Sequence, residues 1–273
     1  MGTNNILVAF GLTLFAGLST GIGGLIAFIY RKTNTKLLSI ILGFSAGVMI
    51  YVSFVEILSE AREHLMSVLH EDMASWLTVL SFFGGMMLIA IIDQMIPSYD
   101  NPHETHKVED MDVCKAESNE SKEKRLLRTG IFTAIAITIH NFPEGLASFT
   151  SAVKDPSLGV AIAIAIAIHN IPEGITVSVP IYCATGSRKK AFLLSFLSGL
   201  SEPLGALIGY LILLPFMNEV VFGIVFAAVA GIMVFISFDE LLPMAREYGE
   251  HHLSIYGLVG GMLLMAISLI LFL

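Results

Sequence analysis

Long apolar blocks, almost free of charge, set the terms for this chain. A run of about 18 or more apolar residues reads as a helix crossing the roughly 30 Å hydrocarbon core of a bilayer. The spacing predicts eight such spans, at residues 5–30, 37–60, 73–96, 126–152, 157–184, 191–217, 220–244 and 253–273. Inside lipid the backbone must bond to itself, so an all-α helical bundle follows. Only 14% of the residues are charged and 55% are hydrophobic, too little polar surface for a soluble domain of this length. The whole chain, 1–273, is expected to be one transmembrane domain, multi-pass in the cell membrane, with the lipid bilayer as its first partner. No basic residue precedes the first block, so it reads as a retained span rather than a secretory signal.

Only the connection 97–125 is long. It is rich in Asp, Glu, Lys, Ser and Asn, cannot build a core, and is expected to be a mobile loop. The basic residues orient the spans. Thirteen Lys and Arg fall on one side, from Arg31, Lys32 and Lys36 through the long loop to Arg188, Lys189, Lys190 and Arg246; Arg62 and Lys154 alone fall on the other. The loop is therefore expected to be cytoplasmic and both termini outside.

The chain also repeats itself. Residues 46–63 read AGVMIYVSFVEILSEARE and residues 230–247 read AGIMVFISFDELLPMARE, identical at ten of eighteen positions. GGMMLIAI from Gly84 returns as GGMLLMAI from Gly260, and GLSTGIGGLI from Gly17 as GLSEPLGALI from Gly199. Spans one to three thus repeat as spans six to eight, around spans four and five. The shift of five spans is odd, so the copies are expected to run oppositely through the bilayer, an inverted repeat of the kind found in alternating-access transporters. Shared Arg, Glu and Ser positions set this apart from mere similarity of apolar composition. Gly43-x-x-x-Gly47 and Gly205-x-x-x-Gly209 suit close helix packing.

The chemistry is concentrated in spans four and five. His140-Asn141-Phe142-Pro143-Glu144-Gly145 and His169-Asn170-Ile171-Pro172-Glu173-Gly174 are two copies of one hexapeptide. His at i and Glu at i+4 share a helix face, about 6 Å apart. Proline between them removes an N–H and displaces the carbonyl four residues earlier. Two such helices side by side offer imidazoles, carboxylates and amides at mid-depth, a nitrogen and oxygen set suited to Zn²⁺, Fe²⁺, Mn²⁺ or Co²⁺. Polar glue between helices would explain one such His. Two His–Glu pairs in the membrane centre, where a carboxylate costs several kcal/mol unless compensated, favour a cation.

Glu202, in Ser201-Glu202-Pro203, is a third carboxylate at the middle of its span. Met49 and its repeat mate Met233 lie near the centres of spans two and seven; a thioether there is packing or a soft ligand. Glu56 and Glu240 follow Met49 and Met233 by seven residues, about 10 Å of helix. Glu56 is expected to mark an outer vestibule, with Asp93, Asp239 and Glu240 an inner exit station. The alternative is solvation at the interface or pairing with Arg62 and Arg246.

The doubled motif, the Ser-Glu-Pro in span six, the eight spans and the polar loop after span three resemble the ZIP (Zrt/Irt-like) divalent metal transporters, and its bacterial members in particular. The resemblance covers nearly the whole chain. It implies uptake of divalent metal through a binuclear centre, with ligands at His140, Asn141, Glu144, His169, Asn170, Glu173 and Glu202, and Met49 as a weaker addition. Some members carry Gln-Asp where this chain has His169-Asn170, so the second metal position here is short of one carboxylate. Many relatives have a His-rich loop, whereas this one has His103 and His106 alone.

The expected function is secondary transport of zinc, with iron, manganese, cobalt and cadmium as further cargo, into the cytoplasm. An intramembrane zinc hydrolase and a metal-selective channel are the alternatives. A hydrolase has no need of two-fold symmetry and requires an open position for water. The chain is therefore not expected to be an enzyme, and no cofactor beyond the transported metal is expected. No Walker A motif points to ATP. A net charge of -8 without a basic cluster speaks against nucleic acid. Cys114 and Cys183 form no paired motif. A homodimer is one arrangement open to such a bundle.

Overall fold

The computed structural model describes residues 3–29, 35–95, 120–154, 156–213, 216, 218–248 and 251–272. Every regular element among them is helical. The first expected span is α1 (Thr3–Ile29). The second is α2 (Thr35–Val52), a π-helical turn (Ser53–Ile57) and α3 (Leu58–Met66). Then come α4 (Glu71–Met95), α5 (Glu120–Lys154) and α6 (Pro156–Thr185). The sixth comprises α7 (Arg188–Gly199), α8 (Ser201–Ile208) and a π-helical turn (Gly209–Leu213). The seventh comprises α9 (Glu219–Ile236), a π-helical turn (Ser237–Leu241) and α10 (Leu242–Tyr248), and α11 (His251–Phe272) is the last. Most of the loop expected over 97–125, His103 and His106 included, lies outside the described residues; α5 already begins at Glu120, ahead of the span expected from Leu126.

Seven of these segments are long and apolar enough to cross a membrane: α1, α2 to α3, α4, α6, α7 to π-helical turn, α9 to π-helical turn, and α11. The helix expected as the fourth span, α5, is not among them. Its sequence explains this: the stretch that carries His140, Asn141, Pro143 and Glu144 also carries Thr133, Thr138, Ser148, Thr150 and Ser151.

Local chemistry sets the ends. Ser187 and Asn218 cap α7 and α9, each side-chain oxygen accepting the N–H three residues on, from Lys190 at 3.3 Å and Val221 at 3.0 Å. Gly186, at φ 62°, ends α6 in the left-handed conformation that glycine adopts without a Cβ penalty.

Span six departs from the single continuous helix expected. Pro203 has no N–H to give the carbonyl of Gly199, and its ring excludes that carbonyl. Helix α7 accordingly stops at Gly199 and α8 restarts at Ser201. The three π-helical turns were also not anticipated. Two of them fall on the same residues of the repeat, SFVEI and SFDEL, and in each the N–H five residues on donates to the first Ser carbonyl, Leu58 to Ser53 and Leu242 to Ser237.

The helices pack in two groups. α1, α5, α6 and α7–α8 contact one another most, as do α2–α3, α4, α9 and α11, with α2 against α6 the main link between them. The second group holds the main apolar core, including Leu42, Met49, Phe82, Phe226, Met233 and Met265. The first holds smaller apolar clusters, around Phe149, Ile181 and Ile166, and buries hydroxyls, amides and carboxylates beside them. α6 is the most enclosed of the apolar spans and α4 and α11 the least. Trp76, Leu80, Phe83 and Met87 on α4 and Tyr256, Leu263, Ile270 and Leu271 on α11 are exposed, as side chains facing hydrocarbon would be.

Close approaches recur at matched positions of the two copies. A Cβ on Gly47 would strike the Leu258 carbonyl, and one on Gly231 the Phe82 carbonyl. Gly85 meets Ala228 in the same way, and Gly261 meets Phe44. In the alignment Gly47 pairs with Gly231, Leu258 with Phe82, and Phe44 with Ala228.

Candidate metal centre

The two hexapeptides sit in α5 and α6, both of which run unbroken through their prolines. Asn141 and Glu144 on α5, and His169, Asn170 and Glu173 on α6, are turned into the bundle. The glycine closing each copy lets a third helix in. A Cβ on Gly145 would strike the backbone of Glu202, and one on Gly174 the carbonyl of Thr20. Thr20 and Glu202 are themselves matched positions of the repeat. Glycine at 145 therefore brings α8, and with it Glu202, against the Glu144 turn.

The result is a buried polar cluster. Asn141, His169, Asn170 and Glu202 are fully enclosed, and Glu144 and Glu173 nearly so. Glu144 Oε1 lies 2.9 Å from His169 Nε2, joining the first motif to the second. The angle is not that of a hydrogen bond, and both Glu144 oxygens lack one. Asn170 Nδ2 donates to Glu202 Oε1 and, at 3.1 Å, to the carbonyl of Ala16. Ser45 Oγ donates to the His169 carbonyl at 3.3 Å, tying α2 to the site. Glu202 lies within electrostatic reach of both Glu144 and Glu173. It stands in the first turn of α8, where the unsatisfied N–H groups favour an anion.

The unmet bonding capacity is chemically informative. Neither side-chain atom of Asn141 has a hydrogen-bond partner among the described residues, nor do Asn170 Oδ1 and Glu202 Oε2. Leaving a buried polar group unsatisfied costs about 1–3 kcal/mol, more for a charge. Three carboxylates crowded out of water repel one another as well, and a divalent cation offsets both costs. Carboxylate, imidazole and amide are the ligands hard to borderline metals prefer.

Of the expected ligands, Asn141, Glu144, His169, Asn170, Glu173 and Glu202 are thus all buried on α5, α6 and α8. The His140 side chain lies outside the described residues, though its backbone is in α5. Among the described residues no three His, Cys, Asp or Glu side chains already stand as a finished cage. Met49 and Met233 are buried in the apolar core of the second helix group. Glu240 is 3% exposed and Glu56 is half-buried, each the fourth residue of its π-helical turn. Asp239 is half-buried, and the side chain of Asp93 lies outside the described residues. Arg62 pairs with Glu71 at 3.6 Å rather than with Glu56.

Sequence reading passed over the residues that support the site. Ser45 has no motif. Ser195 donates to the carbonyls of Thr20 at 2.9 Å and Gly174 at 3.1 Å, clamping α1, α6 and α7. A signal was available in Glu60 and His64, spaced i and i+4 like His140 and Glu144 with the order reversed.

The family model described as ZIP Zinc transporter matches residues 5–269 of this chain. The chain belongs to the ZIP zinc transporter family. It is 62% identical over 272 residues to the protein named Zinc transporter ZupT of Nitratidesulfovibrio vulgaris, covering 98% of each. It is 63% identical over 267 residues to the protein of that name from Lysinibacillus sphaericus, again covering 98% of each. For Streptococcus mutans the figures are 60% over 270 residues and 99% of each. Membership makes the chain a multi-pass membrane transporter of divalent metal. It also answers the hydrolase alternative, since the family is one of transporters and not of enzymes.

Proposed function

We propose that this chain is a secondary carrier that brings zinc into the cytoplasm through a site on α5, α6 and α8. Zinc is the metal in the names of its relatives. Iron, manganese, cobalt and cadmium accept the same ligands and are proposed as further cargo. The observation that carries the reading is the burial of Glu144, Glu173 and Glu202 around His169, Asn141 and Asn170, with amide and carboxylate oxygens left unbonded. Such a cluster has a large unmet demand for positive charge.

In this reading α5 is the fourth of eight spans, made less apolar by the ligands it carries, and 97–125 is a cytoplasmic loop with both termini outside. The repeats are inverted; the contact of Gly47 with Leu258 is matched by that of Gly231 with Phe82, and Gly85 with Ala228 by Gly261 with Phe44, as a two-fold relation between the copies allows. Two ions share the centre: His140, Glu144, His169 and Glu173 hold one, and Asn141, Asn170 and Glu202 hold the other or bridge to it. Met49 is a weaker additional ligand. Glu56 lines the outer vestibule, while Asp93, Asp239 and Glu240 line the exit.

The test is zinc uptake into proteoliposomes with competing ions. His140→Ala and Glu173→Ala are each expected to lower uptake by at least about a hundredfold, the upper range for losing a group at a metal site, while inserting normally. Wild-type uptake by either variant would remove that residue from the ligand set.

A further inference from the structure

A second group of ligating side chains lies at the end of the bundle that the basic residues assign to the outside. His64 on α3 stands between two carboxylates. Its Nδ1 faces Glu219 Oε2 at the start of α9, and its Nε2 faces Glu60 Oε1 one turn back, at 3.7 Å. The ring stacks on Phe222, centroids 5.5 Å apart and planes 16° from parallel. The side chain of Glu219 is 43% exposed, that of His64 3% and that of Glu60 14%, so Glu219 meets water and the ring between the two carboxylates is buried.

The row continues onto α5. Ser151 Oγ donates to Glu60 Oε2 at 3.4 Å. Ser151 also borders a cavity of about 10 Å³ whose open wall is apolar, where Val52, Ile57, Ile162 and Met233 stand beside Ser148 and Glu144. Positions 144, 148 and 151 share one face of α5. One face of α5 thus runs from the contact with Glu60 to Glu144, with the Ser148 hydroxyl on it donating to the Gly145 carbonyl at 3.2 Å.

The repeat departs from itself here. The matched positions of Glu60 and His64 in the second copy are Met244 and Tyr248. The pair belongs to one end of the molecule only, and the shared architecture of the copies does not account for it.

We propose that Glu60, His64 and Glu219 receive the divalent cation at the outer mouth, as two half-sites sharing one imidazole. This rests on the central site being the transport site. The two imidazole nitrogens point to opposite edges of the ring, so the three residues do not converge on a single ion. Glu219 with Nδ1 makes one half-site and Glu60 with Nε2 the next. Two protein ligands at each hold an ion loosely, and a receiving site must let its ion go on.

The experiment measures initial zinc uptake against external zinc in proteoliposomes, together with equilibrium zinc binding to the full-length protein in detergent. Glu60→Gln and His64→Gln are each expected to raise KM about tenfold, the lower end for a group supporting a metal site. kcat and the number of tightly bound zinc ions stay at wild-type values, because the loss is of uniform binding. Glu144→Gln loses the tight binding, which keeps a failure of the central-site reading distinct. An unchanged KM in both outer variants overturns the proposal. So does a joint loss of kcat and tight binding, which would make the row a tie between α3 and α9. Should these variants fold poorly, Glu60→Cys in a Cys114→Ser, Cys183→Ser background is labelled with a membrane-impermeant thiol reagent. Labelling from outside that zinc slows supports the route, and no labelling, or labelling indifferent to zinc, overturns it.

Discussion

The two copies of the His-Asn-x-Pro-Glu-Gly hexapeptide are the same peptide in different company. In the second, Asn170 donates to Glu202 and to the Ala16 carbonyl. In the first, Asn141 is as deeply buried and neither of its polar side-chain atoms has a hydrogen-bond partner among the described residues. The difference does not lie in the motif. It lies in the repeat that flanks it, where Glu202 of α8 occupies the position that Thr20 holds in α1. The hydroxyl of Thr20 is also buried without a hydrogen-bond partner among the described residues. The motif thus delivers amide and carboxylate to the cluster twice over, and the neighbouring helix decides how much negative charge each amide meets. One side of the cluster carries an extra carboxylate, while the other has an uncommitted amide.

That asymmetry can be broken by exchanging its two ends. Removing the carboxylate in Glu202→Ala is expected to weaken zinc affinity by about 10–100-fold, the range for groups that ligate or support a metal. Thr20→Val keeps the shape and loses a hydroxyl that bonds to nothing, so it is expected to change affinity less than about twofold. Isothermal titration of both variants with zinc makes the comparison. Equal losses would mean that Thr20 and Glu202 contribute alike and that the repeat is symmetric in function as well as in descent.

Metal-free stability gives a smaller and separate measure. Asn170→Ala takes a donor from a buried carboxylate and is expected to cost about 1.5–3 kcal/mol, as for a hydrogen bond to a charged group. Asn141→Ala breaks no such bond and is expected to cost clearly less. Thermal unfolding in detergent with a chelator present should therefore rank Asn170→Ala below Asn141→Ala. With saturating zinc the order should narrow, because bound metal stabilises whichever protein still holds it.

Much of this molecule is legible in its sequence, because membranes leave few options. Apolar runs had to be helices, and the helices are there with shifted ends: α5 starts at Glu120 instead of Leu126, since Lys, Glu, Arg and Leu are good helix formers in water as well as in lipid. The burial of Asn141, Glu144, His169, Asn170, Glu173 and Glu202 was legible too, since i and i+4 spacing fixes a common face. The break at Leu200 could have been read from Pro203 and Gly199, but an apolar run hides it. The π-helical turns could not, because one extra residue in a turn leaves composition and periodicity almost unchanged. Tertiary pairings were the least legible. Nothing in Glu202 or Asn170 alone says that they meet, and His64 looked like a residue at a span's end until α9 brought Glu219 to it.

The faintest contrast is between the π-helical turns, SFVEI and SFDEL, and it bears on release. Glu56 and Glu240 hold the same place in each, yet Glu240 is 3% exposed and Glu56 half-buried. A carboxylate kept from water matters more to a passing cation than one that water already screens. Glu240→Gln is accordingly expected to slow zinc turnover about fivefold, equivalent to roughly 1 kcal/mol in the barrier to release. Glu56→Gln should slow it by about twofold or less, as for a partly screened surface charge. Neither should alter equilibrium zinc affinity at the central site. Counterflow measurements in proteoliposomes separate release from loading. Were Glu56→Gln to cost more than Glu240→Gln, burial at these two positions would reflect packing, and the inner carboxylates would have no part in letting the ion go.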